Sequence, residues 1–354
     1  VTHFYPSQTS LYKTYTMSSL ETEYESYFVE NWDTDTLILH LNEQNLKLDD
    51  DDLGILRNEK IVGLSFLDMT KDDFKECGFK IGPATLLAKE VQALKEKPKR
   101  SFSSYRPLTD LKDVLKKYGI DSNDITRIPQ FVPATHPIDE NTPEFKLCID
   151  DILRRIRNMG PVVDSNEAMR CEYISTILHT ALSLLEGLVI RPQMEVSGKE
   201  NAGRVDYAIK KIISEMLEEI VCITEGKQNQ ATIGVCQNLV QCRSACDVNL
   251  DMLKKKRKAD EAFDPDYDYD YVYGIVSTGT DWYFILHSTE GIYCTSRTEY
   301  RISLTEEALE DSTDLRKNVK RILEVIVGLL KDRIVGSEKP ATKKRRVEEI
   351  IRKK

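Results

Sequence analysis

Two carboxylates and a lysine sit at the ends of short apolar runs, a pattern that could assist phosphate-ester hydrolysis with a metal. Asp206 lies in Gly203-Arg204-Val205-Asp206-Tyr207-Ala208-Ile209, and Glu225-Gly226-Lys227 closes the run Ile220-Val221-Cys222-Ile223-Thr224, with eighteen residues between Asp206 and Glu225. Carboxylates on neighbouring strands suit Mg²⁺, which takes oxygen ligands and keeps several waters. A lysine beside them can orient an attacking water or steady charge growing on a phosphate oxygen. Strand side chains alternate, so Glu225 and Lys227 point to one side. Glu-x-Lys triplets also arise by chance in a chain that is 31% charged. The alternative is therefore a surface hairpin with a salt bridge, and the position of this triplet at the end of an apolar strand favours chemistry.

The elements that must hold these residues follow from periodicity. Helical patterning is expected over residues 144–159 and 165–185, strands over 188–190, 205–209 and 220–224, a helix over 230–246, strands over 271–277, 282–287 and 292–295, and a closing helix over 312–332. Residues 274–284 read as a hairpin. Helix, three strands, helix, further strands is an α/β order.

With the Asp and Glu-x-Lys spacing, this order resembles the PD-(D/E)XK nuclease superfamily, although Val205 stands where Pro is common. The resemblance implies a restriction-endonuclease-like α/β domain with an αβββαβ core and a central mixed sheet. Over residues 144–332 it extends to the nuclease-like C-terminal regions of Crinkler-type fungal effector proteins, chiefly at 203–209, 223–241 and 273–285. It further implies a carboxylate from the preceding helix. Glu167 shares a helical stripe with Cys171, Ile174, Leu178, Ala181 and Leu185, and Glu172 on the opposite face is the reserve. A glutamine on the following helix is implied as well, with Gln230, Gln237 and Gln241 on one face and Gln237 and Gln241 preferred; an exposed amide stripe is the plainer alternative. The implied metal ligands are Asp206, Glu225, Glu167 and the carbonyl of Gly226, with Mg²⁺ as cofactor and Mn²⁺ as substitute. The implied catalytic set is Asp206, Glu225, Lys227, Glu167 and Gln241, acting on nucleic acid, DNA in preference to RNA.

The whole chain is compatible with this. At 354 residues and 40% hydrophobic it can build two domains. A net charge of −9 argues against nonspecific coating of nucleic acid, though not against a local basic groove. No apolar stretch is long enough to span a membrane, so no membrane partner is expected. The eight cysteines form neither a CxxC pair nor an extracellular framework and read as reduced core thiols.

Upstream, residues 1–28 are polar and without period, which reads as a disordered leader with Met17 a candidate natural start. Residues 29–97 carry Trp32, short helical pieces rich in Leu, the stretch Ile61-Val62-Gly63-Leu64-Ser65-Phe66-Leu67, the turn Cys77-Gly78-Phe79, and a last helix opened by Gly82-Pro83-Ala84. Their order resembles the sterile alpha motif (SAM), with Met69 where Leu is usual. That implies an all-α five-helix domain that binds itself or another protein. Residues 98–143 read as linker and packing arm with a short helix over 109–118, residues 144–335 as the α/β domain, and residues 336–354 as a basic tail.

Two basic runs complete the pattern. Lys343-Lys344-Arg345-Arg346 follows a linker-like Pro340 and reads as an exposed signal for a nuclear import receptor, which would place the protein in the nucleus. Phosphate contact or plain solubility is the alternative. The run 254–258 precedes acidic residues 260–270, which are expected to cover it when nucleic acid is absent. The competing class for the whole chain is an inactive nuclease fold serving as a nucleic-acid or protein scaffold.

Overall fold

A computed structural model describes residues 29, 32–44, 46–95, 99–106, 108–162, 165–214, 217–256, 269–335 and 339–352. The expected leader, and residues 257–268 of the basic and acidic runs, lie outside the described residues. The chain divides into two compact units, residues 1–98 and 99–354.

The first unit is helical: α1 (Thr34–Glu43), α2 (Asp50–Asn58), α3 (Gly63–Asp68), α4 (Lys71–Glu76) and α5 (Ile81–Lys95). Cap residues start three of its helices. The Asp33 side chain accepts from Thr36 N, Asp49 and Asp52 form a reciprocal capping box, and so do Thr70 and Asp73. Leu37, Leu56, Phe66, Phe74, Ala84 and Leu87 are wholly buried at the centre. Gly63 is required at its place, since a Cβ there would sit 1.6 Å from the Val29 carbonyl oxygen.

The second unit begins with β1 (Arg100–Ser101) and α6 (Leu108–Lys116), continues through α7 (Pro143–Met159) and α8 (Glu167–Ser183), and then enters the sheet. The strands are β2 (Leu188–Ser197), β3 (Asn201–Ser214), β4 (Leu217–Gly226), β5 (Tyr271–Ser277), β6 (Trp282–Ser288) and β7 (Ile292–Cys294), with α9 (Ala231–Lys256) between β4 and β5. Helices α10 (Thr313–Val335) and α11 (Pro340–Arg352) close the unit. The sheet is mixed: β3 pairs antiparallel with β2 and β4, β4 runs parallel to β5, and the hairpin β5–β6 and strand β7 continue antiparallel. An α/β unit with a central mixed sheet is therefore present.

Side-chain alternation sends Tyr271, Tyr273 and Ile275 into one apolar layer with α7, α8, α10 and α11, and Val272 and Val276 into the other with α6 and α9. Burial on both faces explains why β5 is apolar throughout. The packing arm belongs to this unit, with Leu111 and Leu115 of α6 buried in the α9 layer. The eight cysteines are free thiols and six of them are buried.

Four expectations are corrected. Residues 100–101 are not linker, for they add a short parallel strand beside β3. Strands β2 to β4 extend well past their apolar runs, because backbone pairing holds their polar ends. The basic run of the tail is not exposed throughout. Residues 340–352 form α11, and Lys343 is only 5% exposed. A lysine can be buried there because its ammonium is paired with Glu219 and, at 2.6 Å, with Asp270. Arg333 of α10 completes this cluster at 2.7 Å from Glu219. Arg346 lies 3.5 Å from Asp332 and Lys344 2.7 Å from Glu290, while Arg345 remains mostly exposed. Asp270, expected to cover the run at 254–258, meets Lys343 and Arg333 instead.

Candidate active site

The site forms where β4 runs out. The last β3–β4 pair is Tyr207 with Thr224, so Asp206 and Glu225 follow it on adjacent strands. Glu225 is held between strands by its register with Val276, and Lys227 N donates to the Ser277 carbonyl at 2.9 Å. The lysine backbone is thereby fixed although it lies beyond the strand.

Small residues let the flanking helices approach. A Cβ on Gly226 would lie 2.8 Å from Cys171 Sγ of α8 and 3.4 Å from Asp206 Oδ2. One on Gly234 would lie 2.7 Å from Val276 and 2.9 Å from the Lys227 side chain. One on Gly274 would lie 1.9 Å from Asn238 Oδ1, while the Asn238 amide donates to the Ile223 carbonyl at 3.1 Å. These contacts draw α8 and α9 onto the end of β4.

Five side chains converge there. Lys227 Nζ lies 2.6 Å from Glu225 Oε1 and 3.7 Å from Glu167 Oε2. Gln241 Nε2 donates to Glu225 Oε2 at 2.6 Å. Asp206 Oδ2 accepts from Gly226 N at 2.7 Å, and Asp206 Oδ1 accepts from the Gln193 side-chain amide at 3.1 Å. Glu167 is about half exposed in the first turn of α8.

Burial pushes Glu225 up, Lys227 pulls it down, and Asp206 pushes it up again, leaving it at about 7. For Lys227 burial pulls down, but the charges of Glu225, Glu167 and Asp206 outweigh it and raise the ammonium above its ordinary value. The lysine therefore stays charged at neutral pH, and Glu225 stands near the point where it takes or loses a proton. Burial, and then Asp206, push the Cys171 thiol up to about 12, which removes it as a nucleophile.

The donor chemistry fits a hard divalent cation, with carboxylate oxygens on adjacent strands. Gln241 Oε1 is buried without a hydrogen-bond partner and would accept from a bound water. Among the described residues no three His, Cys, Asp or Glu side chains gather closely enough to hold a metal ion. Lys227 bridges Glu225 and Glu167, and Asp206 accepts one donor on each oxygen, from Gly226 N and from Gln193. Gly226, expected through its carbonyl, contributes its N–H to Asp206.

Other candidates are elsewhere. Glu172 pairs with Arg155 of α7, and Gln237 donates to the Tyr105 carbonyl at 2.9 Å on the α6 side. Gln230 is exposed at the turn before α9. Gln193 had no signal in motif or period, and its one clue is Pro192, which suits an edge strand. Cys242 and Cys246 are buried and their thiols lie well above the ordinary value, first through burial.

A family model described as SAM-like domain matches residues 7–93, which makes the N-terminal region SAM-like and begins upstream of the expected boundary at residue 29. Among curated proteins nothing matches the chain. Among the described residues no helix is long and apolar enough to cross a membrane.

Proposed function

We propose that residues 99–354 form a metal-dependent phosphodiesterase of PD-(D/E)XK type that cleaves nucleic acid, DNA in preference to RNA, and that the SAM-like region binds a partner protein or a second copy. The observation that carries this reading is the convergence of Asp206, Glu225, Lys227, Glu167 and Gln241 at one strand end. Asp206 and Glu225 would hold Mg²⁺ or Mn²⁺ with Glu167 at the rim. When bound, the cation supplies charge stabilisation to the phosphate oxygens and acidifies a water.

The protein groups divide the remaining work. Lys227, kept charged by its neighbours, orients the attacking water or faces the phosphate as a donor and does not serve as a base. Glu225, raised by burial to about 7 in the metal-free site, would be held as a carboxylate by the cation and serve as its ligand. Gln241 fixes the Glu225 carboxylate through Nε2 and offers Oε1 to a water. Nuclear import belongs to this proposal only with α11 released, because Lys343 of the basic run is buried in ion pairs.

One observation favours a second reading, a silent nuclease fold that binds nucleic acid or protein: the carboxylates are already satisfied by protein donors. The purified chain is incubated with plasmid, linear and single-stranded DNA and with RNA, in Mg²⁺, Mn²⁺ or EDTA, beside Asp206→Ala and Lys227→Ala. Metal-dependent cleavage lost in both variants is expected. Intact binding without cleavage by the folded wild-type chain would favour the silent fold.

A further inference from the structure

Gln193 has a conformation that its strand does not require. Of the four non-glycine residues at positive φ among those described, Lys47, Lys60 and Gln230 lie in loops or turns, and Gln193, at φ 51°, lies inside β2. The left-handed region is sparsely populated for side chains of this kind. A bulge would explain it, but none is present. Pro192 pairs with Tyr207 and Met194 with Val205, so the register does not shift, although Gln193 and Asp206 between these pairs are not themselves paired in the ladder.

Fold stability does not account for it either. Gln193 is exposed, and its side-chain hydrogen bond, Nε2 to Asp206 Oδ1 at 3.1 Å, is exposed too. Such a bond adds little to folding, so the strained backbone has small return in stability. What the bond does is local. Asp206 Oδ2 is held by Gly226 N and Oδ1 by Gln193, which fixes the plane of the carboxylate while each oxygen keeps lone-pair capacity for another partner.

We infer that Gln193 is a positioning residue that holds the Asp206 carboxylate in the orientation a divalent cation needs; this rests on the metal-site reading above. Strain at such a position is the kind tolerated for pre-organisation. Residues that orient a ligating carboxylate commonly change metal affinity by 10–100-fold when replaced.

The test uses the full chain with Mn²⁺ as probe, by titration calorimetry, and thermal unfolding in EDTA. Gln193→Asn suits positive φ better but is too short to reach Asp206, and Gln193→Gly removes both the strain and the donor. Both variants are expected to bind Mn²⁺ about tenfold more weakly while unfolding in EDTA at the wild-type temperature or above it. Asp206→Ala is expected to abolish binding. Variants that bind Mn²⁺ as tightly as wild type overturn the inference and leave the metal site standing. Variants whose affinity and melting temperature fall together also overturn it, because that marks a merely structural residue. Absence of Mn²⁺ binding by the folded wild-type chain overturns the metal-site reading itself, and the inference with it.

Discussion

Lys227 stands between Glu225 and Glu167, so its charge matters to folding as well as to the proposed chemistry. It pulls the Glu225 carboxyl down against burial and Asp206. With Lys227→Met, Glu225 therefore moves above 7. A carboxyl raised in the folded state contributes stability that is fully present below its unfolded value of 4.5 and lost as pH rises through the folded value. The variant is expected to match wild type near pH 5 and melt lower at pH 8, as thermal unfolding at the two pH values would register. In wild type, Mg²⁺ at a hundredfold excess over its dissociation constant is expected to add about 2.7 kcal/mol, and in Asp206→Ala nothing. Much of this site was legible. Strand alternation was enough to place Glu225 with Lys227, and the helical wheel pointed to Glu167, although it stands half exposed at the N-terminal end of its otherwise buried stripe. Gln241 and Gln237 had equal claims, because α9 is buried on nearly all sides and an amide stripe does not say which neighbour lies opposite each turn. Gln193 was out of reach, since a positive φ leaves no mark on residue type there.

Helix α9 is the element on which the geometry depends, and glycines on its partners set its distance. Gly274→Ala would drive a Cβ into Asn238, and overpacking of that kind costs about 1–3 kcal/mol. A melting temperature lowered by about 3–10 °C is expected, with cleavage reduced because α9 carries Gln241. Adding Asn238→Ala should recover only part of the stability, since the Ile223 carbonyl then loses its donor. The same buried packing explains what could be read of the strands. For β5 the expected and observed spans coincide, because both faces are apolar. For β2 only residues 188–190 were visible, because its other residues are mostly exposed and held by backbone pairing to β3.

Two compact units joined near residue 98 should separate without loss of either. Residues 99–354 expressed alone are expected to retain metal-dependent cleavage, and the SAM-like region alone a cooperative helical unfolding transition by circular dichroism. Within the larger unit, α11 closes the fold through Lys343. Lys343→Met removes one of two cations from Glu219 and Asp270, and breaking a buried pair costs about 3–5 kcal/mol, less here because Arg333 remains. Burial alone would raise Glu219, but Arg333 and Lys343 hold it at about 2. Its contribution is thus present above 4.5 and lost as pH falls toward 2. The variant's acid-unfolding midpoint should move to higher pH, as circular dichroism against pH would record. The α11 helix escaped the sequence reading because a run of basic residues after a proline resembles an exposed tail, and its buried acidic partners lie far away in sequence at Glu219 and Asp270. Strand β4 thus carries Glu219 near one end, neutralised from within, and Glu225 at the other, still short of positive charge. The chain would then contain its own reference electrode: acid should report on one end of the strand and, under the proposed function, magnesium on the other, so that melting curves taken under each would tell an occupied site from a loosened fold.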